Sequence, residues 1–454
     1  MRPLTTSDRA SPSTWDPGVP TSVMAQARSA AALIAERVTE PDLVQHALGL
    51  AEMQTRYPLT VRWDPGSVAQ GDAGLALFCA RLDEVIPEGG WADVGREHLA
   101  RSATAVRQGH AGTGAIAGLS GLLFVTDALG PPPDLQSMRP KLRAEVADSA
   151  LGAAARIRGQ AGVTVSSYDL ISGLSGVLLT VLPRGACQEP SSPLIPFLVR
   201  SLTELALAEG EIPAWHTPAA FLYDDEQRSL YPSGNLNCGL AHGIPGPLAA
   251  LSLAIRTGSS DSRRVAEAVE RMATWLMDHA VRSAQGPGWP TVVPLAHRDG
   301  LLVETSGQHV GRDAWCYGTP GVARALYLAG TALGEESWQT TAIEAMRGVY
   351  RRPPADRYID SPTFCHGIAG LLQITLRFHD DTGLALFSEA ATDLTGQVLA
   401  HVDPDRPMAV ANLEPDGNPV DSPGLLDGAT GVGLALLSVA GQTAPTWDRI
   451  MALS

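Results

Sequence analysis

Phe364-Cys365-His366-Gly367-Ile368-Ala369-Gly370-Leu371-Leu372-Gln373-Ile374 holds the unit from which the fold is read, a G-x-x-G turn that opens directly into an apolar segment. Six further copies stand at Gly71-Asp72-Ala73-Gly74, Gly118-Leu119-Ser120-Gly121, Gly173-Leu174-Ser175-Gly176, Gly243-Ile244-Pro245-Gly246, Gly318-Thr319-Pro320-Gly321 and Gly428-Ala429-Thr430-Gly431. With 46 glycines in 454 residues, about four or five such matches arise by chance; Gly109 to Gly112 and Gly159 to Gly162 are of that kind. What marks the seven is the Ala- and Leu-rich stretch behind each, such as Pro247-Leu248-Ala249-Ala250-Leu251. Their first glycines are 47 to 75 residues apart, the interval of a helix pair with variable insertions.

Amphipathic segments fill the intervals. Val265, Val269, Met272 and Leu276 make one apolar stripe at helical spacing, with Asp261 placed to cap that helix. Leu142 to Ile157, Leu194 to Ala208 and Leu384 to Val402 read similarly, and only Trp289 to Val293 suggests a short strand. The pattern predicts an all-α protein of buried inner helices, each led by a glycine turn, alternating with half-exposed outer ones. Closed into a ring this is a seven-fold α/α toroid, with the turns converging on a funnel; an open superhelix is the alternative. The expected organisation is a polar, flexible tail over residues 1–25 and one α/α-barrel domain over residues 26–454.

Composition narrows the function. The formal net charge of −15 and pI near 5.1 argue against nonspecific nucleic-acid binding, which needs a basic surface. No apolar run is long enough to span a membrane, and the first twenty residues lack the apolar core of a signal peptide. Five scattered cysteines (Cys79, Cys187, Cys238, Cys316, Cys365) are not a disulfide framework, which points to a reducing cytoplasm.

Two of those cysteines sit just before glycine turns, in Trp315-Cys316-Tyr317-Gly318 and Cys365-His366-Gly367. Cys316, Cys365 and His366 are two thiols and an imidazole, donors that zinc favours in tetrahedral geometry. Three protein ligands leave one position open, as in catalytic rather than structural zinc sites. In a closed ring the two motifs occupy neighbouring repeats, 49 residues apart from Gly318 to Gly367. Buried core thiols are the plainer reading of either cysteine alone, but not of both beside His366 and matching turns.

The chain resembles the lanthionine synthetase C-like family from about Gly71 to Leu437. The resemblance rests on Gly239-Leu240-Ala241-His242-Gly243-Ile244-Pro245-Gly246, Trp315-Cys316-Tyr317-Gly318-Thr319-Pro320-Gly321 and Cys365-His366-Gly367-Ile368-Ala369-Gly370, in this order and in register with the repeat. It implies a seven-fold α/α barrel with one zinc held by Cys316, Cys365 and His366. It also implies addition of peptide cysteine thiols to dehydroalanine or dehydrobutyrine, giving lanthionine and methyllanthionine rings. His242 and Asp169 match the family's active-site histidine and aspartate, and Tyr317 and Arg312 match its positions around the first zinc cysteine. The expected partners are a dehydrated precursor peptide, a separate dehydratase and an exporter. Nothing resembling a kinase, lyase or dehydratase domain precedes the repeats, so the expected form is a free-standing cyclase.

The chemistry needs a thiolate near neutral pH, although a free thiol of pKa about 8.5 is mostly protonated there. Attack on an alkene carbon then leaves an enolate to stabilise and protonate, work suited to a histidine with an unperturbed pKa of about 6.5. Asp169 orients an imidazole or only caps the turn; Arg312 contacts substrate or only braces it. Zinc-dependent addition of a glutathione-like thiol to small electrophiles, and an idle zinc-bound scaffold in a biosynthetic complex, are the competing functions. A glycosidase would need a carboxylate pair across the funnel, and none accompanies the glycine turns.

Overall fold

In the computed structural model, residues 15–58, 60–109, 112, 114–130, 139–159, 162–183, 192–305 and 309–454 are described. Helices α1 (Thr21–Val38) and α2 (Pro41–Gln54) precede the first glycine turn. Inner and outer helices then alternate. The pairs are α3 (Asp72–Val85) with α4 (Trp91–Arg107), α5 (Leu119–Leu129) with α6 (Arg139–Gly159), and α7 (Leu174–Val181) with α8 (Leu194–Leu207). After a short α9 (Asp225–Leu230) come α10 (Pro245–Arg256) with α11 (Arg263–Asp278), α12 (Thr319–Leu333) with α13 (Glu336–Arg351), and α14 (Ile368–Thr382) with α15 (Ala385–Leu399). The last inner helix, α16 (Ala429–Ala440), takes its outer partner from the other end of the described chain, by packing against α1. Each inner helix touches the next and α16 touches α3, so the ring is closed.

Burial separates the two layers as their sequences do. In α10 every residue from Pro245 to Ala254 is buried, and in α12 every residue from Thr319 to Gly330, as expected of helices apolar all round. On α11 the Val265, Val269, Met272 and Leu276 stripe is buried. That helix begins one residue later than Asp261 would place it: Ser262 is the N-cap, without a side-chain capping bond.

The turns knit the ring through its backbone. Counting back two residues from the first glycine of each copy gives Ala69, Ile116, Ile171, Ala241, Cys316, Cys365 and Leu426. Ala69 N–H donates to Ile116 O at 3.0 Å, Ile116 N–H to Ile171 O at 3.2 Å, and Leu170 N–H to Ala241 O at 3.1 Å. Ala241 N–H donates to Cys316 O at 3.1 Å, Cys316 N–H to Cys365 O at 3.2 Å, Cys365 N–H to Leu426 O at 2.8 Å, and Leu426 N–H back to Ala69 O at 3.2 Å. This belt brings the seven turns to one rim, and it explains the paired glycines. A Cβ on Gly370 would lie 2.0 Å from Phe364 O and 3.2 Å from Trp315 Cβ of the preceding copy. Gly318, at φ 99°, would put one 1.5 Å from Arg312 O.

Three small antiparallel pieces of sheet occur among the described residues. The largest has the order β1 (Asn235–Asn237), β4 (Val292–Arg298), β5 (Leu301–Glu304); β1 leads into the fourth turn, and β4 and β5 lie in the longest interval, between the fourth and fifth turns. Alternation along β4 is confined to buried Val293 and Leu295 around Pro294, too short a period for the sequence to declare. The others are the pairs β2 (Val281–Ser283) with β3 (Gly286–Gly288) and β6 (Asn412–Leu413) with β7 (Pro419–Val420).

Two stretches beyond the repeats also pack. The sequence boundary at residue 25 falls inside α1, and upstream Trp15 is buried, its indole N–H donating to Ser438 O at 2.7 Å. Tethering by an aromatic side chain is invisible to a reading of polar composition; residues 1–14 lie outside the described residues. At the other end, a short helical segment, Trp447–Met451, reaches non-adjacent inner elements. Arg449 donates to Pro183 O beyond α7, Asp448 accepts from Arg377 on α14, and Met451 O accepts from the Trp315 indole at 2.9 Å. Such contacts place it in the lumen of the ring.

Candidate metal and catalytic site

The rim carries the chemistry. Cys316 and Cys365 occupy the same belt position in adjacent copies, joined by the bond from Cys316 N–H to Cys365 O. The residues just before the first glycine are Ser172, His242, Tyr317, His366 and Asp427 in copies three to seven. The Cys316 and Cys365 sulfurs and a ring nitrogen of His366 lie within 4.8 Å of one another, as one candidate metal-binding group. Both cysteines are free thiols. Contact with the Cys316 thiol, and then burial, push the Cys365 thiol well above the usual cysteine range, against the pull of Arg312. Two thiols crowded together, one buried and one partly exposed, with an imidazole beside them, fit a soft divalent cation, which removes their protons on binding.

One copy round the belt from Cys316 stands His242. Its Nδ1 lies 2.6 Å from Asp169 Oδ2. A carboxylate only accepts, so Nδ1 carries the proton and Nε2 is left free. Asp169 is buried, whereas the His242 side chain is 37% exposed, so the dyad is anchored at one end and open at the other. The second Asp169 oxygen accepts from the backbone N–H groups of Ser172 and Gly173, both at 2.8 Å. Asp169 therefore caps its turn and orients the imidazole at once, and the two roles set against each other by the sequence coexist.

Tyr317 adjoins this dyad, its ring centroid 6.2 Å from that of His242. Its hydroxyl oxygen accepts from Asn237 Nδ2 at 3.1 Å, which leaves the O–H proton to donate elsewhere. Burial pushes the phenol up to about 12, so it stays protonated at neutral pH. Asn237, buried and fixed by Gly239 N–H at 2.9 Å, is a site residue that the motifs did not single out. The signal was its register, six residues before Gly243, as Arg312 is six before Gly318. Arg312 is exposed, and its positive charge acts on both the Cys365 thiol and the Asp427 carboxyl. Asp427 was also missed; its Oδ1 lies 3.4 Å from His366 Nδ1.

The remaining candidates stay apart from the rim chemistry. Cys79 and Cys238 are buried core thiols, and Trp215, Trp289 and Trp338 are buried too. His309 is exposed, whereas His110 and Cys187 fall outside the described residues.

Residues 62–452 match the family described as lanthionine synthetase C-like protein. The chain belongs to that family. Over 223 residues it is 26% identical to the nisin biosynthesis protein NisC of Lactococcus lactis subsp. lactis, a stretch that covers 48% of this chain and 50% of that protein. The match thus spans about half the length of this curated relative. Among solved structures, nisin cyclase superposes with a TM-score of 0.71 at 19% identity, over 90% of this chain and 96% of that one. That likeness concerns the fold, and it agrees with the closed α/α toroid of this lanthionine synthetase C-like chain. No described helix is long and apolar enough to cross a membrane.

Proposed function

We propose that this chain is a zinc-dependent peptide cyclase that adds cysteine thiols to dehydroalanine or dehydrobutyrine within one precursor peptide, forming lanthionine and methyllanthionine rings. The observation that carries this reading is the Asp169-held His242, with Nε2 free, one belt link from the Cys316, Cys365 and His366 group. Zinc held by those three residues would supply a thiolate at neutral pH by easing deprotonation of the substrate thiol. The reaction balances without oxidant, reductant or ATP. A sulfur–carbon bond forms at Cβ, the alkene pair moves toward the carbonyl oxygen, the thiol proton leaves to a base and Cα gains one. His242 Nε2 is the group that holds and returns a proton, with Asp169 stabilising the imidazolium. The reading gives the Tyr317 O–H and the Arg312 guanidinium the task of stabilising the enolate oxygen.

The same reading assigns the protein to the cytoplasm, as the partner of a dehydratase that makes the alkenes and of an exporter that takes the product. Zinc-loaded protein and a dehydrated peptide from its own gene neighbourhood test the proposal. Ring closure conserves mass, so thiols are counted with an alkylating probe and lanthionine is identified after hydrolysis. Loss of peptide thiols without added ATP is the expected result. Unchanged peptide thiols with rapid consumption of glutathione and a small electrophile would replace the cyclase by a detoxifying enzyme. Consumption of neither would favour a scaffold.

A further inference from the structure

We propose that Asp427 is the positioning residue for the metal-binding histidine: it accepts the Nδ1 proton of His366 and so turns Nε2 toward the ion. The inference rests on the zinc reading above and concerns a residue outside the three ligands. Asp427 stands just before the seventh glycine turn, in the register that His366 occupies before the sixth. The backbones of these two copies are tied together twice, Phe364 N–H and Cys365 N–H both donating to Leu426 O at 3.2 and 2.8 Å. A side chain at Asp427 is thereby held against the one at His366.

The contact itself is unfinished in a way that suits this role. Asp427 Oδ1 lies 3.4 Å from His366 Nδ1, just beyond a good hydrogen bond, and this buried oxygen has no hydrogen-bond partner. A buried carboxylate oxygen without a donor costs free energy, and the imidazole N–H is the donor at hand. A small rotation of the ring would complete the bond. Ligand histidines commonly engage their second nitrogen with a carboxylate, which fixes the tautomer and makes the ligating nitrogen more basic.

Zinc affinity, measured by competition with a chromophoric chelator on the full chain, tests the assignment. Asp427→Ala should bind zinc about 10–100-fold more weakly than wild type. Asp427→Asn should fall between the two, because its amide oxygen still accepts from Nδ1–H but carries no charge. Melting curves of the metal-free proteins check that each variant folds; if Asp427→Ala does not, the comparison rests on Asp427→Asn. Zinc binding by the folded variant within twofold of wild type would overturn the role of Asp427 and leave the cyclase reading intact. A wild-type chain that holds no zinc would instead remove the zinc reading on which both depend.

Discussion

Cys316 donates its backbone N–H to the carbonyl of Cys365 at 3.2 Å, and this bond is one link in a belt that exists all round the ring. The two thiols are therefore brought together by the repeat and not by the metal. Equivalent links in other copies carry Ala69, Ile116 and Ala241, whose side chains offer no metal donor. The site is a local change of side chain on a structure that is seven times repeated.

It follows that the fold outlasts the ion. Cys316→Ala or Cys365→Ala should abolish stoichiometric zinc, read by elemental analysis of purified protein, because two remaining donors hold the ion poorly. The belt bonds are backbone bonds and stay, so the far-ultraviolet circular dichroism should remain that of a helical protein. Full zinc occupancy in Cys365→Ala would contradict the ligand assignment.

The dual role of Asp169 gives a split that single substitutions can read. His242→Asn should retain zinc yet slow cyclisation by at least about a hundredfold, the usual scale of a lost acid–base group. Asp169→Asn keeps an oxygen for the Ser172 and Gly173 N–H groups but turns an amide donor toward His242 Nδ1, which favours the wrong tautomer. It should lose turnover on a similar scale with an unchanged melting temperature. Asp169→Ala should lose both the turnover and about 0.5–2 kcal/mol of stability, the range for a lost backbone cap. Full turnover by Asp169→Asn would reduce Asp169 to its capping role.

The sequence displayed the ring because the belt demands glycine where a Cβ would strike backbone, as at Gly370 and Gly318, and glycine is the one residue whose absent side chain is legible as a pattern. Cys316, Cys365 and His366 were legible for a related reason: they fall at fixed distances from those glycines. Asn237 and Asp427 share that register but are ordinary polar residues, and only the partner across the gap, Tyr317 for one and His366 for the other, gives them meaning. The pairing of α1 with α16 was illegible, since no local period in Thr21–Val38 records that its partner lies about four hundred residues away.

The lumen segment carries a charge pair whose pH dependence can be stated. Burial alone would raise the Asp448 carboxyl, but the Arg377 charge and the hydrogen bonds from Arg377, Gln373 and Ser454 outweigh it and hold the carboxyl below its ordinary value. A carboxyl depressed in the folded state contributes stability at and above its unfolded pKa of about 3.9, and that contribution is lost as pH falls through the folded value. Asp448→Asn should cost up to about 3 kcal/mol at neutral pH, because it removes the nearest counter-ion of the buried Arg377 and leaves it only the more distant Asp380, at 3.6 Å. Denaturant titrations should show the difference between variant and wild type narrowing toward the acid end. A difference that stays constant down to low pH would remove Asp448 as the source.

Glycine itself supplies the last expectation, since two glycines in neighbouring helices differ in what surrounds them. Gly396 lies exposed in α15 with nothing within 4 Å of an added Cβ, so Gly396→Ala should stabilise the protein by about 0.5–1 kcal/mol through helix propensity. Gly370 opens α14, and a Cβ there meets Phe364 O at 2.0 Å and Trp315 Cβ at 3.2 Å. Those are the residues immediately before Cys365 and Cys316. Relief of the clash must push the two cysteine-bearing turns apart, so Gly370→Ala should weaken zinc binding as well as lower the melting temperature, although no atom of Gly370 belongs to the ligand set. Chelator competition on the soluble fraction, with Gly396→Ala as the matched control, measures this. Wild-type zinc affinity in Gly370→Ala would mean that the belt tolerates displacement without disturbing the thiol pair, and the rim geometry would then not be what sets the metal site.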